Sequence, residues 1–289
     1  MKIKLLLTVI LLAVIVISSQ GQEPRFKISL AEWSLHKALG KKEISNLDFP
    51  RIAKKDYNLD AVEYVSTFFQ GKGQDSVYLA QLKDSCTKYG VKSLIIMVDG
   101  EGNLADTSLA RRQKAVENHY KWVKAAKYLG CHSIRVNAAG RGTQEQMKVA
   151  AVDGLTKLSD YAAAFDINVI VENHGGYSSI GTWLTDVMKK VNRRNCGTLP
   201  DLGNFYEYDR YQGVTDMIPY AKGVSGKTHD FNENGDETQI DYARMLKIVS
   251  ESCYKGYIDV EYEGTRLSEP EGIKVSIALV KKVIEPYNK

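Results

Sequence analysis

Only four cysteines occur in the 289 residues, Cys86, Cys131, Cys196 and Cys253, and no two of them form a CxxC pair. That spacing excludes a zinc knuckle and a dense disulfide scaffold. Gly100, Gly102, Gly140 and Gly142 do not fall at dinucleotide-fingerprint spacing, which leaves a Rossmann oxidoreductase without support and marks these glycines as loops. Proline is scarce at six, and no Pro/Gly-rich linker or break in composition divides the chain, so a single domain is the economical reading. Charge of one sign is lacking as well. The formal net charge is +4 and falls to +2 once Lys2 and Lys4 of the leading segment are set aside, which offers no grip on nucleic acid or an anionic membrane.

What is present begins with that leading segment. Lys2 and Lys4 precede an apolar run from Leu5 to Ile17, and Ser18-Ser19-Gln20-Gly21 follows it. This three-part layout predicts a secretory signal peptide over 1–21 and an exported chain, periplasmic or secreted. A bilayer-spanning helix needs about 20 apolar residues, more than this run supplies, so no stable membrane anchor is expected. No cysteine stands near the cut, which argues against a lipoprotein. Export permits a disulfide without predicting one.

The remaining chain, 22–289, alternates strand and helix. Apolar runs at Phe26–Leu30, Ala61–Val65, Ser93–Val98, Ser133–Asn137, Asn168–Glu172, Gly197–Asp201, Gly223–His229 and Tyr257–Glu261 predict eight strands. A helical-looking segment lies around 45–57, and between the later strands amphipathic stretches predict helices, the clearest over 108–129, 144–165, 185–194, 238–252 and 270–283. Eight such units within 22–289 predict an α/β fold of a single domain, a (β/α)8 TIM barrel. A doubly wound open sheet would show the same alternation.

In a barrel the active site lies at the carboxyl ends of the strands. Four of the expected strands close on a metal-ligand type of side chain: Glu172, Asp201, His229 and Glu261. A lone acid at a strand end is ordinarily a helix cap or a surface ion pair; four on consecutive strands point to a centre. If Glu172 and Glu261 face the mouth, strand alternation sends Val169, Val171, Ile258 and Val260 outward to the helices. The same phase puts His174, Lys227 and Glu263 at the mouth. Three carboxylates and an imidazole would repel and lose hydration unless a cation sat among them. The donor types suit one divalent metal ion, Mn, Zn, Mg or Co.

Four segments carry a resemblance: Val171-Glu172-Asn173-His174-Gly175-Gly176, Pro200-Asp201-Leu202-Gly203-Asn204-Phe205, Lys227-Thr228-His229-Asp230 and Val260-Glu261-Tyr262-Glu263-Gly264. Through them the chain resembles the xylose-isomerase-like superfamily of sugar phosphate isomerases/epimerases, which also looks related to the endonuclease IV barrels. The resemblance implies one metal held by Glu172, Asp201, His229 and Glu261. It implies proton transfer by Glu172 and Glu261, a small-molecule carbohydrate substrate, and pairing as a homodimer. A proton beside a carbonyl is weakly acidic, and its loss leaves an enediolate whose charge a metal stabilises. Return of the proton gives an isomer or epimer; expulsion of a β-group gives a lyase or dehydratase.

The chain departs from the ketose epimerases of that group at Ser178, Asn204 and Gly235, where they carry an acid, a His and an Arg. Five histidines are few for the three-metal centre of the endonuclease relatives. His174 and Lys227 are candidates for general acid/base catalysis. His174 is read equally as a hydrogen-bond donor behind the ligands, and Lys227 as the ion-pair partner of a metal-bound carboxylate. His36, with Glu32, falls near the end of the first strand. His36, His119 and His132 are read as non-ligands. Asp230, Asn232, Asn234 and Gly235 open like a calcium loop, but Asp241 stands where that loop needs Glu. A non-catalytic carbohydrate-binding barrel is the reading from a different class.

Overall fold

The computed structural model describes residues 23–289, so the expected signal segment lies outside the described residues. Eight strands follow one another: β1 (Phe26–Ala31), β2 (Ala61–Val65), β3 (Lys92–Met97), β4 (Ser133–Val136), β5 (Asn168–Glu172), β6 (Cys196–Leu199), β7 (Val224–Thr228) and β8 (Gly256–Tyr262). The helices are α1 (His36–Gly40), α2 (Phe49–Tyr57), α3 (Ser76–Tyr89), α4 (Leu109–Leu129), α5 (Gln144–Ala163), α6 (Gly181–Val191), α7 (Arg210–Met217), α8 (Tyr242–Glu251) and α9 (Glu269–Ile284). The strands pair in parallel, in the order β6-β5-β4-β3-β2-β1-β8-β7.

The two ends of that order meet. Bridges Thr198↔Ala221 and Asp201↔Ser225 join the β6 segment to the β7 segment. Ser225 N–H donates to Pro200 O at 2.9 Å, and Leu202 N–H to Ser225 O at 3.0 Å. The sheet is therefore a closed single-domain TIM barrel, and the open doubly wound alternative falls away.

Local chemistry explains the helix bounds. Ser108 and Gly130 cap α4, and Thr143 with Gln146 forms a capping box on α5. The helix expected over 238–252 starts later, at Tyr242, because Asp241 caps it and accepts from Arg244 N–H. The helix expected over 185–194 runs Gly181–Val191 and stops at Asn192, whose φ of 44° is left-handed.

The apolar side chains sort by strand phase. Val169, Val171, Ile258 and Val260 belong to the large core between sheet and helices. Ala31, Ala61, Val65, Ile95, Met97, Ile170 and Leu199 form a separate, smaller cluster inside the barrel. Polar side chains share that interior. Ser29 Oγ donates to Glu63 Oε1 at 2.8 Å, and Gly226 N–H donates to Asp259 Oδ1 at 2.9 Å. A Cβ on Gly226 would lie 2.3 Å from Asp259 O, so only glycine lets β7 lie this close to β8.

Candidate active site

The carboxyl ends of β4 to β8 gather a charged cluster at one mouth of the barrel. Lys227, on β7, is the Cα partner of Glu261 on β8. Its Nζ lies 3.0 Å from Glu261 Oε1, 3.2 Å from Glu263 Oε1 and 3.5 Å from Asp201 Oδ2. Burial pulls the Lys227 ammonium down, but the carboxylates of Asp201, Glu261, Glu172 and Glu263 together hold it well above the ordinary lysine value.

Asp201 is fully buried. Its Oδ1 accepts from Gly203 N–H at 2.8 Å and Asn204 N–H at 2.7 Å. Asn173, at the end of β5, holds Asp201 in place as a strand would. Asn173 Nδ2 donates to Asp201 O at 2.9 Å, and Asp201 N–H donates to Asn173 Oδ1 at 2.8 Å. Burial pushes the Asp201 carboxyl upward against the pull of Lys227.

Glu172 is buried between an amide donor and a guanidinium. Asn204 Nδ2 donates to its Oε1 at 3.1 Å, and Arg135 Nε lies 2.8 Å from its Oε2. The Arg135 contact is an ion pair and not an aligned hydrogen bond. Burial pushes the Glu172 carboxyl upward, Arg135 opposes, and Glu261 adds to the rise. Arg135 also reaches Asp99 Oδ1 at 2.8 Å, which Asn137 Nδ2 shares at 2.8 Å.

The expected site residues thus divide. Glu172, Asp201, Glu261, Lys227 and Glu263 line one mouth. His229 follows β7 and stands further out, its side chain 29% exposed, with its backbone N–H donating to Glu237 Oε1 at 3.2 Å and its Nδ1 3.8 Å from the same oxygen. His174 stands at the rim, its backbone N–H donating to Ser178 Oγ at 3.1 Å. Partial desolvation of its ring and the nearby Arg135 lower its pKa. His36 bonds Trp33 O, His119 bonds Ala115 O within α4, and His132 bonds Ser133 Oγ. The calcium-like run is a turn in which Asn232 Oδ1 accepts from Asn234 and Asp236 N–H, while Asp230 accepts from Thr265 and Arg266 N–H.

The donor set does not fit a metal ion as arranged. Among the described residues no three His, Cys, Asp or Glu side chains converge to hold one. Glu172 Oε2, Asp201 Oδ2 and His229 Nδ1 lack hydrogen-bond partners among the described residues, as free ligand atoms would. The first two, however, each face a fixed cation, Arg135 and Lys227, and the third faces Glu237.

Two features were not singled out from sequence. Arg135 is a cation within a buried strand, and its place at positions 133–135–137 of one strand face was the available signal. The second is a cavity of about 660 Å³ lined by none of the cluster's carboxylates and bordered by Arg141, Met147, Tyr177, Tyr206, Glu207 and Tyr208. Tyr206 joins it to the cluster: its hydroxyl donates to Asn204 Oδ1 at 3.3 Å.

The sequence profile of the xylose isomerase-like TIM barrel family matches residues 52–283. The chain belongs to that family. No curated protein matches it in sequence. Among solved structures, IolI with a bound zinc atom is similar at 18% identity and a TM-score of 0.72, covering 90% of this chain and 99% of that one. The 3-keto-D-glucoside 4-epimerase YcjR of E. coli is similar at 14% identity and 0.70, covering 89% and 99%. The probable 3-DHS dehydratase AsbF of Bacillus anthracis is similar at 15% and 0.67, covering 88% and 98%. At these identities the likeness is one of fold.

Proposed function

We propose that this barrel is an enzyme that moves a proton next to the carbonyl of a carbohydrate, as an isomerase or epimerase, with Glu172 and Glu261 as the proton-transfer groups. The observation that carries the reading is the pairing of these two buried carboxylates at one mouth, each beside a fixed cation. Burial raises the Glu172 carboxyl toward the range in which a carboxyl both takes and returns a proton. Glu172 and Glu261 enter from strands three apart round the ring, so a sugar lying between them meets a carboxylate on either side. Arg135 and Lys227 supply the positive charge that an enediolate oxygen needs nearby.

The tyrosine-edged cavity supports a carbohydrate as substrate, because aromatic faces pack against the C–H faces of a sugar ring while Arg141 and Glu207 hydrogen-bond its hydroxyls. The fold neighbours that act on a keto-glucoside and on a dehydratase substrate are consistent with this class of chemistry.

A keto-sugar or keto-glycoside lyase is the second reading. Asn204 favours it: the amide stands where ketose epimerases carry a His, and it is committed to Glu172 and Tyr206. Incubation with candidate keto-sugars in deuterated water separates the two. Deuterium incorporation without loss of a leaving group is expected; elimination accompanying every exchange event would replace the first reading by the second. Glu172→Gln and Glu261→Gln are each expected to lower turnover by at least about 100-fold, the usual scale for removing a general base. Unchanged turnover in both would sink the mechanism, and tight sugar binding with no turnover in the wild type would make the barrel a binder.

A further inference from the structure

We propose that the Lys227 ammonium is the resident cation of this centre, and that its presence excludes a divalent metal ion from the carboxylate cluster. The inference goes beyond the reaction class. It stands on the geometry of the mouth and rests on the proton-transfer reading only for its catalytic meaning.

An ammonium has three N–H donors and no acceptor. Lys227 Nζ has three carboxylates around it, Glu261 at 3.0 Å, Glu263 at 3.2 Å and Asp201 at 3.5 Å. Its side chain is only 3% exposed, so this charge is part of the interior and not a surface lysine swung inward. The stem has a built slot: a Cβ on Gly203 would lie 3.0 Å from Lys227 Cδ, so the glycine leaves the lysine its path.

The carboxylate oxygens that a metal would need are those already facing the ammonium. An ion bonded at about 2.0–2.2 Å to Asp201 Oδ2 and Glu261 Oε1 would have to share the space between them with the ammonium that lies 3.5 Å and 3.0 Å from those oxygens. That would also set a dication within a few ångströms of a buried monocation. The imidazole that would complete an ion's shell stands further out, its side chain 29% exposed where that of Lys227 is 3% exposed. Lys227 and His229 lie two residues apart, on β7 and just past its end, and the lysine is the one that fills the centre. Fixed positive charge on a carbonyl-activating site is chemically sufficient to hold developing negative charge without a Lewis acid.

The test is metal uptake, read apart from turnover. The purified chain, stripped with EDTA and dialysed, is titrated with Co²⁺ while heat and visible absorption are recorded. The wild type is expected to show no stoichiometric cobalt band, whereas Lys227→His, which exchanges the ammonium for a ligand, is expected to bind one equivalent that the added Asp201→Asn change removes. One equivalent bound by the wild type and lost in Asp201→Asn overturns the proposal. A folded Lys227→His chain that takes up no cobalt overturns the claim that the lysine is what excludes the ion. If Lys227→His does not fold, as circular dichroism would show, the wild-type titration decides alone: no uptake, or uptake that survives Asp201→Asn, supports the lysine, and uptake that Asp201→Asn abolishes refutes it. A failure of the proton-transfer reading leaves this result unchanged, because no substrate enters it.

Discussion

Glu32 follows β1 with its side chain fully buried. Among the described residues its carboxylate accepts one hydrogen bond, from Val65 N–H to Oε2 at 2.8 Å, and Oε1 has no partner. Burial pushes its carboxyl up to about 8, against the pull of that one backbone donor. The folded chain therefore holds a proton on Glu32 that the unfolded chain has already released above its ordinary carboxyl pKa of about 4.3. Stability contributed by the protonated form is present at low pH and is lost as pH rises toward 8, at about 1.4 kcal/mol per unit while the two states differ. Glu32→Gln keeps the shape and the acceptor for Val65 without the titration. We expect its midpoint in urea to exceed that of the wild type at pH 8.5, with the gap closing near pH 4.5. A lower midpoint at pH 8.5 would show that the carboxyl is needed in its ionised form.

The strand ends of β5 to β8 carry the site, and the way they do so shows what a sequence can tell. Side-chain alternation is a backbone property, so Val169, Val171, Ile258 and Val260 could be assigned to the outer core from their spacing to Glu172 and Glu261 alone. Lys227 lies on β7 and His229 follows two residues on, just past the strand's end, and alternation cannot rank them. What ranks them is burial: the Lys227 side chain is 3% exposed among the carboxylates, and that of His229, whose backbone N–H bonds Glu237, is 29% exposed. The partners of Arg135 were illegible for a related reason: they come from distant segments, Asp99 lying 36 residues away beyond the end of β3, and no local pattern joins them. Asn173 is the element-level counterpart, a side chain that extends the β5–β6 ladder by two hydrogen bonds and fixes Asp201. Asn173→Ala is expected to destabilise the chain by about 1–3 kcal/mol, since it strands a buried donor and acceptor. It is also expected to lower turnover through misplacement of Asp201, whereas Asn173→Asp restores only the acceptor. Denaturant midpoints and kcat measured on both variants check this, and full activity in Asn173→Ala would remove the positioning role.

Across the whole barrel the ring of strands is not uniform. Strands β1 and β8 pair in continuous register, from Phe26 with Gly256 to Leu30 with Val260, whereas β6 meets β7 only through two isolated bridges among the described residues. Asp201 stands on one side of that seam and Lys227 on the other. Their ion pair thus works as a clasp as well as a charge balance, and Glu261 and Glu263 hold it from the β8 side. Hydrogen exchange should find the amides of Leu202 and Ser225 opening sooner than those along β1 and β8 in the wild type, and Lys227→Met should widen that difference without touching β1. Equal protection on both sides of the barrel in that variant would show that backbone bridges alone keep the ring shut. If the clasp works as described, any ligand that competes for the ammonium also loosens the staves of the barrel beside it, and the site becomes the hinge of its own doorway.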